Sequence, residues 1–367
     1  VSILLLFYMT ITSYISNFGR IVIPTIINEF SYKLFLPLVV LGVVYGVVQK
    51  NIIPGLMIAF FAIALIVLMV YLAKLGGISR KVDLSFLTSR KLIRIGKYSL
   101  YSALGTLGSL LIFRMDAVMI TGLLGEVSTG LYFNILVMAA VIDIPSQAIG
   151  KIAGPIISKS FNDNNHEEIQ SIYIKGSINS LIVGMLIFLG IWFNLDAIIS
   201  LSSKPEAFFG ATQIFLFLGI AKLIDGLTGI NTHILLYSRY YKFNLLFLLC
   251  LGVLNVFLNL VLIKQYDITG AAMATLISLT LYNLIKLFFI KFTLDMSPFT
   301  LDTLKVLLIG VMVFGLLFIL PMPDSVVLGI LLRSILISVL FIGLIYWSKA
   351  SIDFNSLVDK YTKIIIR

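Results

Sequence analysis

The chain has 367 residues, of which 60% are hydrophobic and only 12% charged, with a net charge of +10. The charged share is about half that of a soluble protein, which excludes a globule with a solvated, charged skin. One cysteine, Cys250, and two distant histidines exclude a disulfide framework and a zinc or cysteine-rich metal site.

Apolar runs of bilayer-crossing length, about 20 residues, recur from end to end. They are continuous rather than alternating. In lipid every backbone polar group needs an internal partner, so such runs predict helices rather than a barrel. The expected spans are 2–28, 35–49, 53–74, 98–123, 127–150, 173–194, 209–236, 243–263, 268–291, 302–320 and 325–347, about eleven in all. The first and seventh are long enough to tilt or bend. Turn signals separate them at Gly125, Ser202-Ser203-Lys204-Pro205, Tyr266-Asp267 and Pro321-Met322-Pro323-Asp324. Val1 sits inside an apolar run without a basic leader, and the start reads as cut.

With the loop between the third and fourth spans inside, twenty lysines and arginines fall on that side and three (Lys50, Lys204 and Lys264) on the other. The asymmetry predicts a cytoplasmic loop and a cytoplasmic C-terminus. The inner set includes Lys286 and Lys291, placed at the end of the ninth span. Residues 75–97 form the largest shift in composition, basic and holding Gly76, Gly77, Ser79 and Ser89. They read as a linker whose second half, Leu87 to Tyr98, suits a surface amphipathic helix.

A weak repeat runs through the chain. Leu41-Gly42-Val43-Val44 matches Leu251-Gly252-Val253-Leu254, and Tyr32-Lys33 matches Tyr241-Lys242. Gly55-Leu56-Met57 with Ala59 matches Gly270-Ala271-Ala272-Met273-Ala274 after a small gap. The first three spans thus resemble the seventh to ninth, and internal repeats in membrane chains are a signature of transporters. The expected fold is all-α and polytopic with pseudo-symmetric lobes. Residues 1–75 would be three helices of an N-terminal lobe whose first three helices are missing, and 76–97 a basic cytoplasmic linker. Residues 98–293 would be a complete six-helix lobe, and 294–367 an added helix pair with a cytoplasmic tail.

Lys97-Tyr98-Ser99-Leu100, Phe113-Arg114-Met115-Asp116, Gly130-Leu131-Tyr132, Ile144-Pro145 and Pro155 with Ser158 carry a likeness. The stretch resembles the start of a lobe in the polysaccharide-exporting branch of the multidrug/oligosaccharidyl-lipid/polysaccharide exporter superfamily. Gly229 to Tyr241 and Asp267 to Ala274 resemble later parts of the same lobe. The resemblance implies a flippase in the bacterial inner membrane, without cofactor or catalytic centre. It would move an undecaprenyl-pyrophosphate-linked oligosaccharide to the outer leaflet for O-antigen, capsule or exopolysaccharide assembly. Its partners would be the lipid-linked oligosaccharide, membrane lipids and glycan assembly machinery, not nucleic acid.

Moving a pyrophosphate across lipid needs a cationic, hydrated cavity, so charges at membrane depth are the candidate site residues. Lys222, Asp225, Gly229 and His233 recur at offsets of three, four and four, one stripe of a continuous helix. They could line a cavity, or Lys222 and Asp225 could lock two helices together. His233 is either a hydrogen-bonded packing residue or a proton carrier. Ser102, Gly105, Ser109 and Asp116 share a face, with Arg114 roughly opposite. Arg20 either reaches the substrate or snorkels to the interface. Substrate binding is therefore assigned to Arg114, Lys222, His233 and Arg20, and coupling or ion pairing to Asp116 and Asp225. Two alternatives are an ion-coupled multidrug antiporter of the same superfamily, using Asp116, Asp143 and Asp225, and a membrane polysaccharide polymerase. The polymerase would need a larger outer loop than 195–208.

Overall fold

A computed structural model describes residues 2–16, 18, 23–24, 26–27, 35–44, 46, 49–76, 88–202, 205–319 and 325–365. The chain divides into two compact units, Val1–Ile93 and Arg94–Arg367. Every regular element among the described residues is a helix.

In the first unit α1 is Ser2–Ser16, α2 Leu36–Val44 and α3 Ile53–Lys74. The first turn of helix α3 holds a proline, Pro54, whose missing N–H is one of the donors a helix start leaves unpaired anyway. Its buried residues Ala64, Leu68 and Leu72 recur every four positions and pack on Tyr8 and Ile15 of α1. The opposite face holds exposed Ile63 and Ile66.

The second unit is a larger helix bundle. Helix α4 is Ser89–Leu124 and begins within the range expected for a surface helix. Helices α5 (Glu126–Ala140) and α6 (Ile144–Asn162) form one long run joined by a 3-10 turn, Val141–Asp143. Helix α7, His166–Ser200, starts at Asn165, whose side chain accepts from the Glu168 N–H while its amide donates to the Glu168 carboxylate. This reciprocal cap fixes where the chain reverses. Helices α8 (Ala211–Thr228) and α9 (Asn231–Tyr237) are separated by Gly229.

Helix α10, Tyr241–Leu294, holds non-helical backbone at Asp267 (φ 51°, ψ −135°). Asn255 meets Ser278 and Asn259 approaches Thr275 through Asp116, so the arms 241–266 and 268–294 run antiparallel. A Cβ at Gly270 would stand 2.1 Å from the Leu262 carbonyl oxygen, so the close approach of the arms requires glycine there. The Tyr266-Asp267 turn signal thus marks a helical hairpin. Helices α11 (Leu301–Ile319) and α12 (Val326–Ser348) pack against α7. Arg333 donates to the Phe193 carbonyl (3.0 Å) and Asn194 to Ser334 (3.2 Å). A terminal helix, α13 (Ile352–Ile365), is tethered through Ser351, which donates to Asn179 (2.8 Å).

Seven helices among the described residues are long and apolar enough to cross a membrane, one of them the folded-back α10. The distribution of side chains is that of a membrane protein. Val253, Phe257, Val311, Phe318 and Val339 are exposed, whereas Asp116, Asn259, Asn283 and Lys286 are at most 5% exposed. In lipid the apolar exterior costs nothing, and polar groups turn inward to find partners.

Candidate functional site

The interior of the second unit holds two polar clusters. The first is built on Asp116 of α4. One carboxylate oxygen accepts from the Asn259 amide (2.8 Å). The other accepts from the Thr275 hydroxyl (2.7 Å) and the Tyr132 hydroxyl (3.0 Å). Asn259 also donates to the Asn255 carbonyl groups, and Asn255 donates to Ser278 (3.2 Å). Four elements converge here: α4, α5 and both arms of α10. All of these donors to Asp116 are neutral. A carboxylate so placed has its lone pairs satisfied but no cationic partner among the described residues.

The second cluster is a string of charges and amides. Lys222 of α8 pairs with Asp143 at 2.6 Å, both side chains about 10% exposed. Asp143 sits in the 3-10 turn between α5 and α6, and among the described residues its other oxygen has no hydrogen-bond partner. One turn after Lys222, Asp225 accepts from Asn283 of α10 (2.9 Å). Asn283 accepts from Asn231 (3.3 Å), whose own oxygen accepts from Lys286 (2.9 Å). Lys286 also donates to Thr232 (3.0 Å) and lies 3.8 Å from the centre of the Tyr282 ring. Two cations and two carboxylates thus alternate along one buried path.

Gly229 makes this string possible. Its backbone (φ 65°, ψ −134°) ends α8 and restarts the chain as α9, which turns Asn231 and Thr232 toward α10. A Cβ at Gly229 would meet Ser177 backbone and side-chain atoms at 3.2–3.3 Å, and the Ser177 hydroxyl donates to the Leu227 carbonyl that the break leaves free.

The sequence-derived site residues divide accordingly. Lys222 takes Asp143 rather than Asp225 as its ion pair, and Asp225 bonds Asn283. The break at Gly229 removes His233 from the expected continuous stripe, because helical spacing does not carry across a residue at positive φ. His233 instead packs on Gly150 and Gly154 of α6 and stacks with Tyr237, ring centroids 6.4 Å apart. Asp116 anchors the first cluster. Arg20 and the Arg114 side chain lie outside the described residues.

Lys286, counted among inner-surface lysines by sequence, is 1% exposed and held inside the bundle. Lys291 lies five residues on, and by sequence the pair resembles the basic end of a span. The missed signal is a stripe along the second arm of α10: Thr275, Ser278, Tyr282 with Asn283, and Lys286 recur at three- and four-residue steps. Asn255 and Asn259, one turn apart on the first arm, carry the matching signal.

No family model matches the chain. A curated relative, the probable low-salt glycan biosynthesis flippase Agl15 of Haloferax volcanii, is 26% identical over 199 residues, 53% of this chain. The chain spans 40% of that relative's length. The lipid II flippase MurJ in its inward closed conformation superposes with TM-score 0.64 at 14% identity, over 97% of this chain and 72% of that one.

The chain shares the fold of the MurJ structure. The all-helical, membrane-spanning architecture expected from the sequence is the one found among the described residues.

Proposed function

We propose that the protein moves a lipid-linked oligosaccharide across a cell membrane as part of glycan biosynthesis. The observation that carries this reading is the Lys222–Asp143 and Asp225–Asn283–Asn231–Lys286 string, held inside a bundle whose outside is apolar. A membrane-buried charge string is expensive, and such residues mark the paths of polar cargo. The function in the Haloferax relative's name and the shared MurJ fold support a glycan- or lipid-linked cargo. In the finer form of the proposal the carrier is undecaprenyl pyrophosphate, and the product feeds O-antigen, capsule or exopolysaccharide assembly on the outer face of a bacterial plasma membrane.

In this scheme Lys222 draws the pyrophosphate, with Arg114 and Arg20 as further cationic contacts, and no bond is made or broken. Asp116 takes up the coupling proton or cation, and Asp225 passes the change on through Asn283. His233 contributes as the ring that seats α9 on α6. The basic side of the chain faces the cytoplasm. With Lys286 buried, the lysine and arginine count falls from twenty to nineteen on that side, still against three. Domain organisation follows the same scheme: helices of one lobe over 1–75, a linker over 76–97, a six-helix lobe over 98–293, and an added pair with tail over 294–367.

The test is genetic. Cells lacking the gene should accumulate the lipid-linked oligosaccharide on the inner leaflet, and the wild-type gene should clear it. Accumulation unaffected by deletion, or a gain in drug sensitivity instead, would favour the antiporter reading.

A further inference from the structure

The terminal helix α13 lies at the depth of the membrane surface. Helix α12 has 23 residues, about 34 Å at 1.5 Å per residue, just over the roughly 30 Å of a bilayer's hydrocarbon core. Its last turn, with Tyr346 and the exposed Trp347, therefore stands at the interface, where amphipathic aromatic rings gather. Lys349, in left-handed backbone (φ 53°), then turns the chain into α13. Asn355 of α13 donates to the Tyr346 carbonyl (2.9 Å), and the Tyr346 hydroxyl donates to Asp359 one turn on (2.6 Å). Were α13 to continue α12 outward, Asp359 would lie roughly 20 Å from Tyr346. The helix instead crosses the end of the span.

Its faces are sorted. On one flank Asp353 accepts from Asn179 of α7 (3.4 Å), and on the other Asn355 bonds α12. Phe354, between them, packs against the main core, so its face looks into the membrane-spanning bundle. Leu357, three residues on, shares that face and is exposed, so past Phe354 the apolar stripe has outrun the bundle. By sequence spacing Tyr361, Ile364 and Ile365 continue it. The exposed Ser356 and Lys360 lie off the stripe.

Charge sets the kind of surface. Lys349 and Lys360 are exposed and form no ion pair among the described residues. Residues 349–367 hold four basic residues (Lys349, Lys360, Lys363 and Arg367) against two acidic ones, Asp353 and Asp359. Both carboxylates already accept hydrogen bonds from α7 and α12. An apolar stripe turned toward the membrane at interface depth, with unpaired lysines off its edge, is the pattern of a helix that rests on an anionic leaflet. A soluble partner could reach that stripe only by entering the headgroup layer.

We propose that α13 docks on the lipid surface at the end of α12, its Phe354–Leu357 stripe immersed at the headgroup boundary and Lys349 and Lys360 on the phosphates of anionic phospholipids. The proposal requires that the chain spans a membrane and stands apart from what it carries. The test uses the full chain with Cys250→Ser, spin-labelled at Leu357→Cys or Ser356→Cys, in nanodiscs of phosphatidylcholine mixed equally with phosphatidylglycerol. Both positions are exposed, so the labels leave the fold in place. Collisions with lipid-dissolved oxygen should exceed those with a water-soluble nickel chelate at the Leu357 position, and the reverse should hold at Ser356. Chain extracted from the same mixture should retain phosphatidylglycerol over phosphatidylcholine in native mass spectrometry. Lys349→Gln with Lys360→Gln should lower that enrichment about fivefold or more, since one lysine near an anionic surface is worth about that factor. Equal exposure of both labels to the nickel chelate overturns the proposal. So does a Leu357 label shielded from both reagents, which would put a second copy or another protein on the stripe. Lipid retention unchanged in the double variant overturns the anionic preference.

Discussion

Removing Asp143 should strip Lys222 of an ion-pair partner inside the bundle. The pair is 2.6 Å apart with each side chain about 10% exposed, so solvent screens it little. At an effective dielectric of about 20 the gross attraction is about 6 kcal/mol, against which desolvation of both ions is set. Breaking such a pair from one side costs about 3–5 kcal/mol. Asp225 lies one turn from Lys222 and could partly replace Asp143, but it would have to give up its bond to Asn283. Asp143→Ala should therefore fall near the lower end, about 3 kcal/mol. Replacing both partners by apolar residues of similar size, Asp143→Leu with Lys222→Met, should cost less than the sum of the single changes. The coupling energy should be about 2 kcal/mol or more. The assay is denaturant unfolding of the four proteins in the same detergent, read by a fluorescent thiol probe on Cys250, which is exposed. Coupling below about 0.5 kcal/mol would mean that the pair does not operate as an ion pair, and the charge-string account would fall with it.

Three further outcomes are expected. Gly270→Ala should part the arms of α10, because its Cβ would stand 2.1 Å from a backbone carbonyl oxygen; about 1–3 kcal/mol or more of stability should be lost, and a melting temperature equal to wild type would refute the hairpin packing. Gly229→Ala should cost about 1–2 kcal/mol for a non-glycine residue at φ 65°, beside the tight contact with Ser177; a neutral effect would mean that α8 and α9 do not depend on this break. In a background lacking Cys250, a cysteine at Ser79 should resist an impermeant thiol reagent applied outside, and one at Ser202 should react; the opposite pattern would invert the proposed topology.

Much of the architecture could be read from the chain because lipid imposes one rule, and long apolar runs obey it. The 53–74 run became α3 within a residue, and the Tyr266-Asp267 signal became the turn of the α10 hairpin. The break at Gly229 escaped because Gly-Ile-Asn-Thr sits between two apolar stretches and interrupts no hydrophobic period. The site suffered more than the fold. Composition located Lys222, Asp143, Asp225 and Asp116, but pairing depends on which helix faces which, and only the packed bundle sets Lys222 on Asp143. Lys286 was misplaced for a physical reason. Charge near the end of an apolar run normally belongs to the interface, and nothing local distinguishes a lysine that turns inward to Asn231 and Thr232.

Reconstituted flipping tests the central claim most directly. Proteoliposomes would carry the full chain and undecaprenyl-pyrophosphate oligosaccharide with a fluorescent glycan, initially protected on the inner leaflet. An impermeant quencher outside would report arrival on the outer leaflet. The account predicts quenching above the protein-free rate that is lost in Lys222→Ala at equal protein content. No quenching above that rate, or equal rates for wild type and Lys222→Ala, would contradict it.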